Sequence, residues 1–167
     1  PVSQVNLTAA METAGLPEVG QALRRAVALA PDLPDAMLSM ARYASRLSDW
    51  IRLDAWARRT LSVAPGNADA ALTLAQGFLV RGDTKRGWPY WEARLSRPGL
   101  IRSDLSGRRW NGEAVAGSRL LLHCEQGFGE TLQFVRLVPI AARWSGRVIL
   151  ETVRELAPLL SRSLPEV

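Results

Sequence analysis

"LAPDLPDAMLSMA", residues 29–41, returns in altered form as "VAPGNADAALTLA", residues 63–75. The two stretches are 34 residues apart, and the same step relates Asp49 to Asp83. Apolar residues follow the proline at helical spacing in both. Self-similarity of this period is typical of helical hairpins that stack to bury their apolar faces. The sequence therefore predicts an array of paired helices over residues 1–98.

The array resembles the tetratricopeptide repeat family. The residues that carry the resemblance recur at the family's spacing; they are Met37, Met40, Ala41, Ala44, Leu53, Ala57 and Pro65, then Ala71, Leu74, Ala75, Phe78, Gly87 and Trp91. "GLPEVGQALRRAVALAP", residues 15–31, reads as the second half of an earlier repeat. The resemblance implies a concave groove for a protein or an extended peptide. Its expected lining is Asp35, Leu38, Arg42, Arg46, Asp69, Leu72 and Gln76. A structural spacer is the alternative reading.

Small residues and prolines give this array its physical basis. Ala41 and Ala75 allow the helices of a pair to approach closely, and Pro31 and Pro65 end the second helix of a pair. The stretch "GWPYWEARLSRP", residues 87–98, departs from the repeat pattern. We expect its aromatic residues, Trp88, Tyr90 and Trp91, to cap the array.

The hydrophobic pattern changes after a linker at residues 99–118. "RLLLHC" (119–124) and "GRVILET" (146–152) predict strands, and the intervening apolar residues recur at helical spacing. A continuous apolar run indicates a strand buried on both faces. Residues 119–167 are therefore expected to form a βαβ-containing part of an α/β domain. The predicted fold class is mostly α: a short helical-hairpin array followed by a truncated Rossmann-like segment.

A glycine-rich corner, "EQGFGE", follows the first predicted strand at residues 125–130. Glycines permit unusual backbone dihedrals, and bare amides at a helix start favour an anion. The candidate ligand-binding residues are Glu125, Gln126, Gly127, Gly129 and Gln133. The third glycine of the dinucleotide fingerprint is absent, because Leu132 occupies its position. His123 and Cys124 point to opposite strand faces, so they form no nucleophilic pair and are expected in the core.

A second resemblance covers residues 88–167. The stretches "WNG", "LLLHCEQGFGETLQFVRLVP" and "GRVILETVRELAPLL" are similar to bacterial tetratricopeptide proteins that continue into a glycosyltransferase-like GT-B domain. They are also similar, more distantly, to the first βαβ unit of the lipopolysaccharide heptosyltransferases (glycosyltransferase family 9). That family usually places an aspartate, thought to be the general base, where this chain has Glu130. A carboxylate in a first helical turn also stabilises the helix without any chemistry.

The resemblance implies that a longer parent protein transfers a sugar from a nucleotide-sugar donor. Such enzymes bind the donor mainly in a second Rossmann domain, so we expect these 167 residues alone to be non-catalytic. The alternative is a scaffold protein whose transferase-like half is vestigial. We also expect two copies to pair, because the predicted parallel strands leave outer edges open. The alternative is that the repeats fold back over this edge and its apolar face, with Trp88, Trp91 and Trp110 as cover.

Composition narrows the remaining classes of partner. The 21 Lys and Arg residues outnumber the 16 Asp and Glu residues but are scattered, which argues against a nucleic-acid interface. One cysteine and one histidine supply neither an internal disulfide nor an ordinary zinc site. We expect no metal and no cofactor. No apolar run is long enough for a membrane span, and no signal peptide opens the chain, so a cytoplasmic location is expected.

Overall fold

The computed structural model describes residues 18–96, 107–125 and 127–165. The chain divides into two compact units, Pro1–Arg102 and Ser103–Val167. The described part is mostly helical and contains a small parallel sheet of two strands. This agrees with the predicted mostly α class. Residues 1–17, 97–106, 126, 166 and 167 lie outside the described part.

The first unit is a row of consecutive helices. They are α1 (Val19–Leu29), α2 (Pro34–Arg46), α3 (Trp50–Val63), α4 (Ala68–Val80) and α5 (Thr84–Trp91), and a 3₁₀ turn, Glu92–Ser96, follows α5. The bounds of α2 and α4 differ by the 34-residue step at both ends, and so do the starts of α3 and α5. The period predicted from the sequence is therefore the period of the helices.

The turns between the helices repeat as closely as the helices do. Asp49 and Asp83 cap α3 and α5, each accepting a hydrogen bond from the backbone N–H three residues later. The residue immediately before each cap has a left-handed backbone conformation: Ser48 has φ 55° and Gly82 has φ 77°. Glycine adopts this conformation without strain, whereas serine does not. The α2–α3 turn is thus the more strained of the two.

The core of the helical unit lies between the helices. Its main cluster consists of small residues packed against large ones, namely Ala41, Ala44, Leu53, Ala57, Leu74 and Phe78. Ala41 and Ala75 are both completely buried, as the close-packing prediction requires. Tyr90 stacks on Phe78 with ring centroids 5.9 Å apart, so one of the three predicted capping aromatics covers this core. Trp88 does not, because it is 44% exposed.

The second unit has strand, helix, strand, helix order. Its elements are β1 (Val115–His123), α6 (Phe128–Phe134), a 3₁₀ turn (Val135–Leu137), α7 (Val138–Ala142), β2 (Ser145–Glu151) and α8 (Ala157–Ser163). The strands are parallel, with Leu120 opposite Val148 and Leu122 opposite Leu150. β1 begins at Val115, inside the segment assigned to the linker by sequence. The predicted single helix is divided by the 3₁₀ turn, and Pro139 lies in the first turn of α7.

The sheet buries only one of its faces, so the expectation of burial on both faces is wrong. Leu120 and Val148 are buried, and α7 contacts β2. Their neighbours Leu121 and Ile149 point to the opposite face and are 39% and 42% exposed. An unbroken apolar run predicts a covering layer on each face of the sheet. Within the described residues, only one face has such a layer.

A close approach of two glycines joins the strands near their starts. A Cβ atom on Gly146 would lie 2.8 Å from Cα of Gly117, and Gly117 has φ 77°. The strand register shifts in β1 between Val115 and Arg119. Both glycines are therefore required by the irregular start of the ladder.

No helix within the described ranges is both long and apolar enough to cross a membrane.

Candidate functional site

The predicted groove residues fall into an exposed group and a buried group. Asp35, Arg42, Arg46 and Gln76 are exposed, and Asp69 is half-buried. Leu38 and Leu72 are only 5% and 7% exposed, so their assignment to a groove surface is corrected to the core. The physical reason is that α2 contacts α1, α3 and α4, which leaves a single narrow stripe of its surface open.

The exposed stripes on α2 and α4 occupy equivalent positions in the repeat. Asp35, Arg42 and Arg46 on α2 correspond by the 34-residue step to Asp69, Gln76 and Val80 on α4. Val80 is 67% exposed and is not among the predicted groove residues. Its equivalence to Arg46 is the signal that identifies it. We call these six residues the paired stripe.

An ion pair connects the two halves of the paired stripe. Nη2 of Arg42 lies 2.9 Å from Oδ2 of Asp69, and both side chains are about half exposed. An ion pair with this exposure contributes at most about 1 kcal/mol to stability. It orients the Arg42 guanidinium between the two helices. Asp35 has no ion-pair or hydrogen-bond partner within the described residues.

The paired stripe is polar and balanced in charge. It contains two arginines, two aspartates, one amide and one valine, so it does not select a strongly acidic or basic ligand. It offers both hydrogen-bond donors and acceptors, which suits the backbone and polar side chains of an extended peptide. The exposed surface is thus narrower than the predicted seven-residue groove, because Leu38 and Leu72 are buried.

The glycine corner connects β1 to α6. Gly127 is the N-cap of α6 with φ −53° and ψ 179°, an extended conformation open to any residue. Gly129 lies inside the helix, and a Cβ there would meet no atom within 4 Å. The expectation that these glycines supply unusual dihedrals is therefore wrong. Because Gly127 and Gly129 have no side chains, the space beside the start of α6 is open.

Two of the predicted ligand-binding side chains share one surface of α6. Glu130 and Gln133 are three residues apart in the helix and both are exposed. A Cβ on Gly127 would lie 3.6 Å from Oε2 of Glu130, which places this carboxylate over the corner. Glu125 is half-buried at the end of β1, and Gln126 lies outside the described residues.

Four further residues lie at the carboxyl ends of the strands. His123 is opposite Glu151 in the ladder, and the N–H of Cys124 donates to the Glu151 carbonyl at 3.1 Å. His123 and Cys124 are half-buried rather than in the core. Oγ1 of Thr152 is shielded from solvent and has no hydrogen-bond partner in the described part of the chain. Sequence reasoning missed Glu151, which the strand register brings opposite His123, and Thr152, which follows Glu151 in the chain.

The described residues contain no group of three His, Cys, Asp or Glu side chains that could hold a metal ion. The arrangement at the corner is one of exposed carboxylate and amide groups beside an open helix start. Such groups can accept hydrogen bonds from a hydroxylated ligand or donate hydrogen bonds to it. The Glu130 carboxylate is also of the type that acts as a general base.

Comparison with known proteins identifies one partial relative. The chain is similar to Protein FlbA of Caulobacter vibrioides (strain ATCC 19089 / CIP 103742 / CB 15), with 36% identity over 96 residues. The match covers 54% of this chain and 16% of FlbA, so the chain spans well under two thirds of that relative. The name of FlbA describes no activity. No family model matches the chain, and no solved structure matches it significantly.

Proposed function

We propose that the helical unit is a protein-interaction module of the tetratricopeptide type, which binds an extended peptide along the paired stripe. The observation that carries the proposal is the 34-residue step, which relates the bounds of α2 to those of α4. Stacked hairpins of this period present the first helix of each pair on a common surface. The Arg42–Asp69 ion pair, which connects α2 to α4, supports a continuous surface across both repeats.

Selection from a defined library of random linear peptides tests this module. Arg42→Glu would turn the ion pair with Asp69 into a repulsion in the middle of the stripe, and we expect selected peptides to bind at least about tenfold more weakly. The matched control is Arg25→Glu on α1, which makes the same charge change at an exposed position outside the stripe. If no peptide is enriched, or if both variants weaken binding equally, the proposal fails.

We propose further that the α/β unit is the N-terminal part of a glycosyltransferase-like domain in a longer protein. Support comes from the parallel β1–β2 pair and from Glu130, whose carboxylate lies at the carboxyl end of β1. Ligands of open parallel sheets bind beyond that end of the strands. In this proposal Glu130 is the general base towards an acceptor hydroxyl, and Gln133 is a hydrogen-bonding neighbour on the same helix surface.

Calorimetric titration and a kinetic comparison test the transferase proposal. The 167-residue chain should bind UDP-, GDP- or ADP-sugars more weakly than micromolar, because the donor site belongs to a second domain. In the longer protein, Glu130→Gln should lower kcat by about a hundredfold or more with little change in KM. Sugar transfer that is unaffected by Glu130→Gln would remove the base role. A longer protein without transferase activity would favour the scaffold alternative.

A further inference from the structure

The outer edge of β2 carries backbone groups that have no partner within the described residues. The N–H of Cys124 donates to the carbonyl of Glu151, so the backbone groups of Glu151 point towards β1. In a parallel strand, the backbone groups of every second residue point towards the same neighbouring strand. The backbone N–H and C=O groups of Ile149 therefore also point towards β1. The backbone groups of Val148 and Leu150 therefore point away from β1. We call the exposed row of Val148 and Leu150 backbone groups the β2 edge.

The side chains of β2 are arranged symmetrically about Ile149. The strand reads "RVILE" from Arg147 to Glu151, with opposite charges at equal distances from its centre. An antiparallel copy of the same strand, centred on Ile149, would place Arg147 of each copy opposite Glu151 of the other. Opposite charges in directly opposed positions stabilise an antiparallel pair. A carboxylate accepts several hydrogen bonds, so the contacts Glu151 already makes do not prevent this pairing.

The backbone pattern is compatible with the register that the side chains favour. In that antiparallel pair Val148 of one copy is opposite Leu150 of the other, and both point their N–H and C=O groups outwards. They would exchange both hydrogen bonds, while the Ile149 pair and the two Arg147–Glu151 pairs occupy positions without ladder bonds. Side chains are closest at such positions, which favours the charged and apolar contacts. Charge order thus selects one register among those that the hydrogen-bond alternation allows.

The outer edge of β1 lacks this complementarity. Its equivalent stretch, "RLLLH" from Arg119 to His123, would place an arginine opposite a histidine in an antiparallel self-pair. No opposite charges meet in that arrangement. The β2 edge is therefore the edge that fits a second copy of this chain.

We propose that two copies of the chain pair through the β2 edge, antiparallel and related by a two-fold axis at Ile149. The result is a four-stranded sheet in the order β1–β2–β2–β1, whose self-complementary interface is typical of two-fold dimers. Pairing also removes an unprotected edge, which otherwise promotes uncontrolled association.

Light scattering at several concentrations tests the pairing in the full chain. We expect a mass of twice 18.3 kDa that falls towards 18.3 kDa on dilution. Arg147→Glu would replace both Arg147–Glu151 pairs with pairs of opposed glutamates. It should raise the dissociation constant of the dimer by about tenfold or more. The double variant Arg147→Glu/Glu151→Arg should restore dimerisation. Arg119→Glu, a control with the same charge change at the β1 residue opposite Arg147, should have no effect.

A disulfide across the axis tests the register itself. In a Cys124→Ser background, Ile149→Cys should form an intermolecular disulfide, because directly opposed residues without ladder bonds have Cα atoms about 4.5 Å apart. Leu121→Cys, one strand further from the axis, is the matched control and should not cross-link. A concentration-independent mass of 18.3 kDa, or equal cross-linking by both cysteines, would overturn the proposal.

Discussion

Leu74 and Leu121 both lie within regular elements of the chain, but their surroundings differ completely. Leu74 on α4 is fully buried, whereas Leu121 on β1 is 39% exposed. The contrast extends to their units: the largest fully buried side chains, such as Phe78, Leu53 and Met37, belong to the helical unit. Exposed large apolar side chains recur through the second unit, among them Phe128, Leu132, Leu137, Ile140 and Trp144.

The difference follows from how each architecture covers its apolar surface. A helical hairpin is covered by the next hairpin, so a few repeats already enclose a core between them. A parallel sheet needs a helical layer on each face and a neighbour on each edge. Within its described residues the second unit supplies one layer and two strands, and its exposed sheet face and strand edges are surfaces suited to contacts.

The matched substitutions Leu74→Ala and Leu121→Ala measure this contrast directly. Leu74→Ala should lower the free energy of unfolding by about 2–5 kcal/mol, because it leaves a cavity in a closed core. Leu121→Ala should cost less than about 1 kcal/mol, since its side chain is already partly in water. Urea unfolding followed by far-UV circular dichroism provides both values. Equal losses would contradict the one-sided burial of the sheet.

Ala75→Leu tests the packing register of the repeats. Ala75 is completely buried between helices, so a larger side chain should overpack the pair and cost about 1–3 kcal/mol. The control is Ala55→Leu at an exposed position of α3, which should change the thermal midpoint little. An unchanged midpoint for Ala75→Leu would show that the assigned register is wrong.

Gly77→Ala probes the same interface with a single methyl group. The added Cβ would lie 2.7 Å from Cδ2 of Leu53, which is itself fully buried. We expect a loss of about 1 kcal/mol, at the low end of the range for overpacking. Gly66→Ala is the control, because its Cβ would meet no atom within 4 Å and its φ is not positive. A differential scan in which the two variants melt together would contradict the close approach of α3 and α4.

The smallest expected effect concerns the acid stability of the α5 cap. The side-chain hydrogen bond from Arg86, followed by its backbone hydrogen bond, lowers the pKa of Asp83 below its usual 3.8. A carboxyl group with a lowered folded-state pKa stabilises the fold above its unfolded pKa, and this contribution disappears as the pH falls through the folded value. Asp83→Asn should therefore flatten the decline of the urea midpoint between about pH 5 and pH 2.

Arg86→Gln provides the companion measurement for the cap. It removes the main cause of the lowered pKa while leaving the Asp83 carboxylate in place, so it should flatten the same acid limb. A decline as steep as that of the unaltered chain in both variants would show that other carboxylates cause the acid sensitivity.

The helical unit was the more predictable of the two from the sequence. Pro31 and Pro65 predicted where α1 and α3 end, and Asp49 and Asp83, which the sequence places 34 residues apart, cap equivalent helices. These signals are local, because a proline or a capping carboxylate acts on its own turn of backbone. The candidate site was less predictable. Leu38 and Leu72 are buried by helices distant in sequence, and Glu151 reaches His123 only through strand register.

The sequence by itself determined the 34-residue period, the ends of α1 and α3, the parallel strand order expected of a βαβ pattern and the carboxylate at Glu130. Each depends on the spacing of residues along one stretch of chain. Only the tertiary structure decided which faces are covered: it buried Leu38, left Val80 exposed and covered the sheet on one face alone. The physical reason is that periodicity assigns a residue to a face of its own element, whereas burial depends on which distant elements pack against that face.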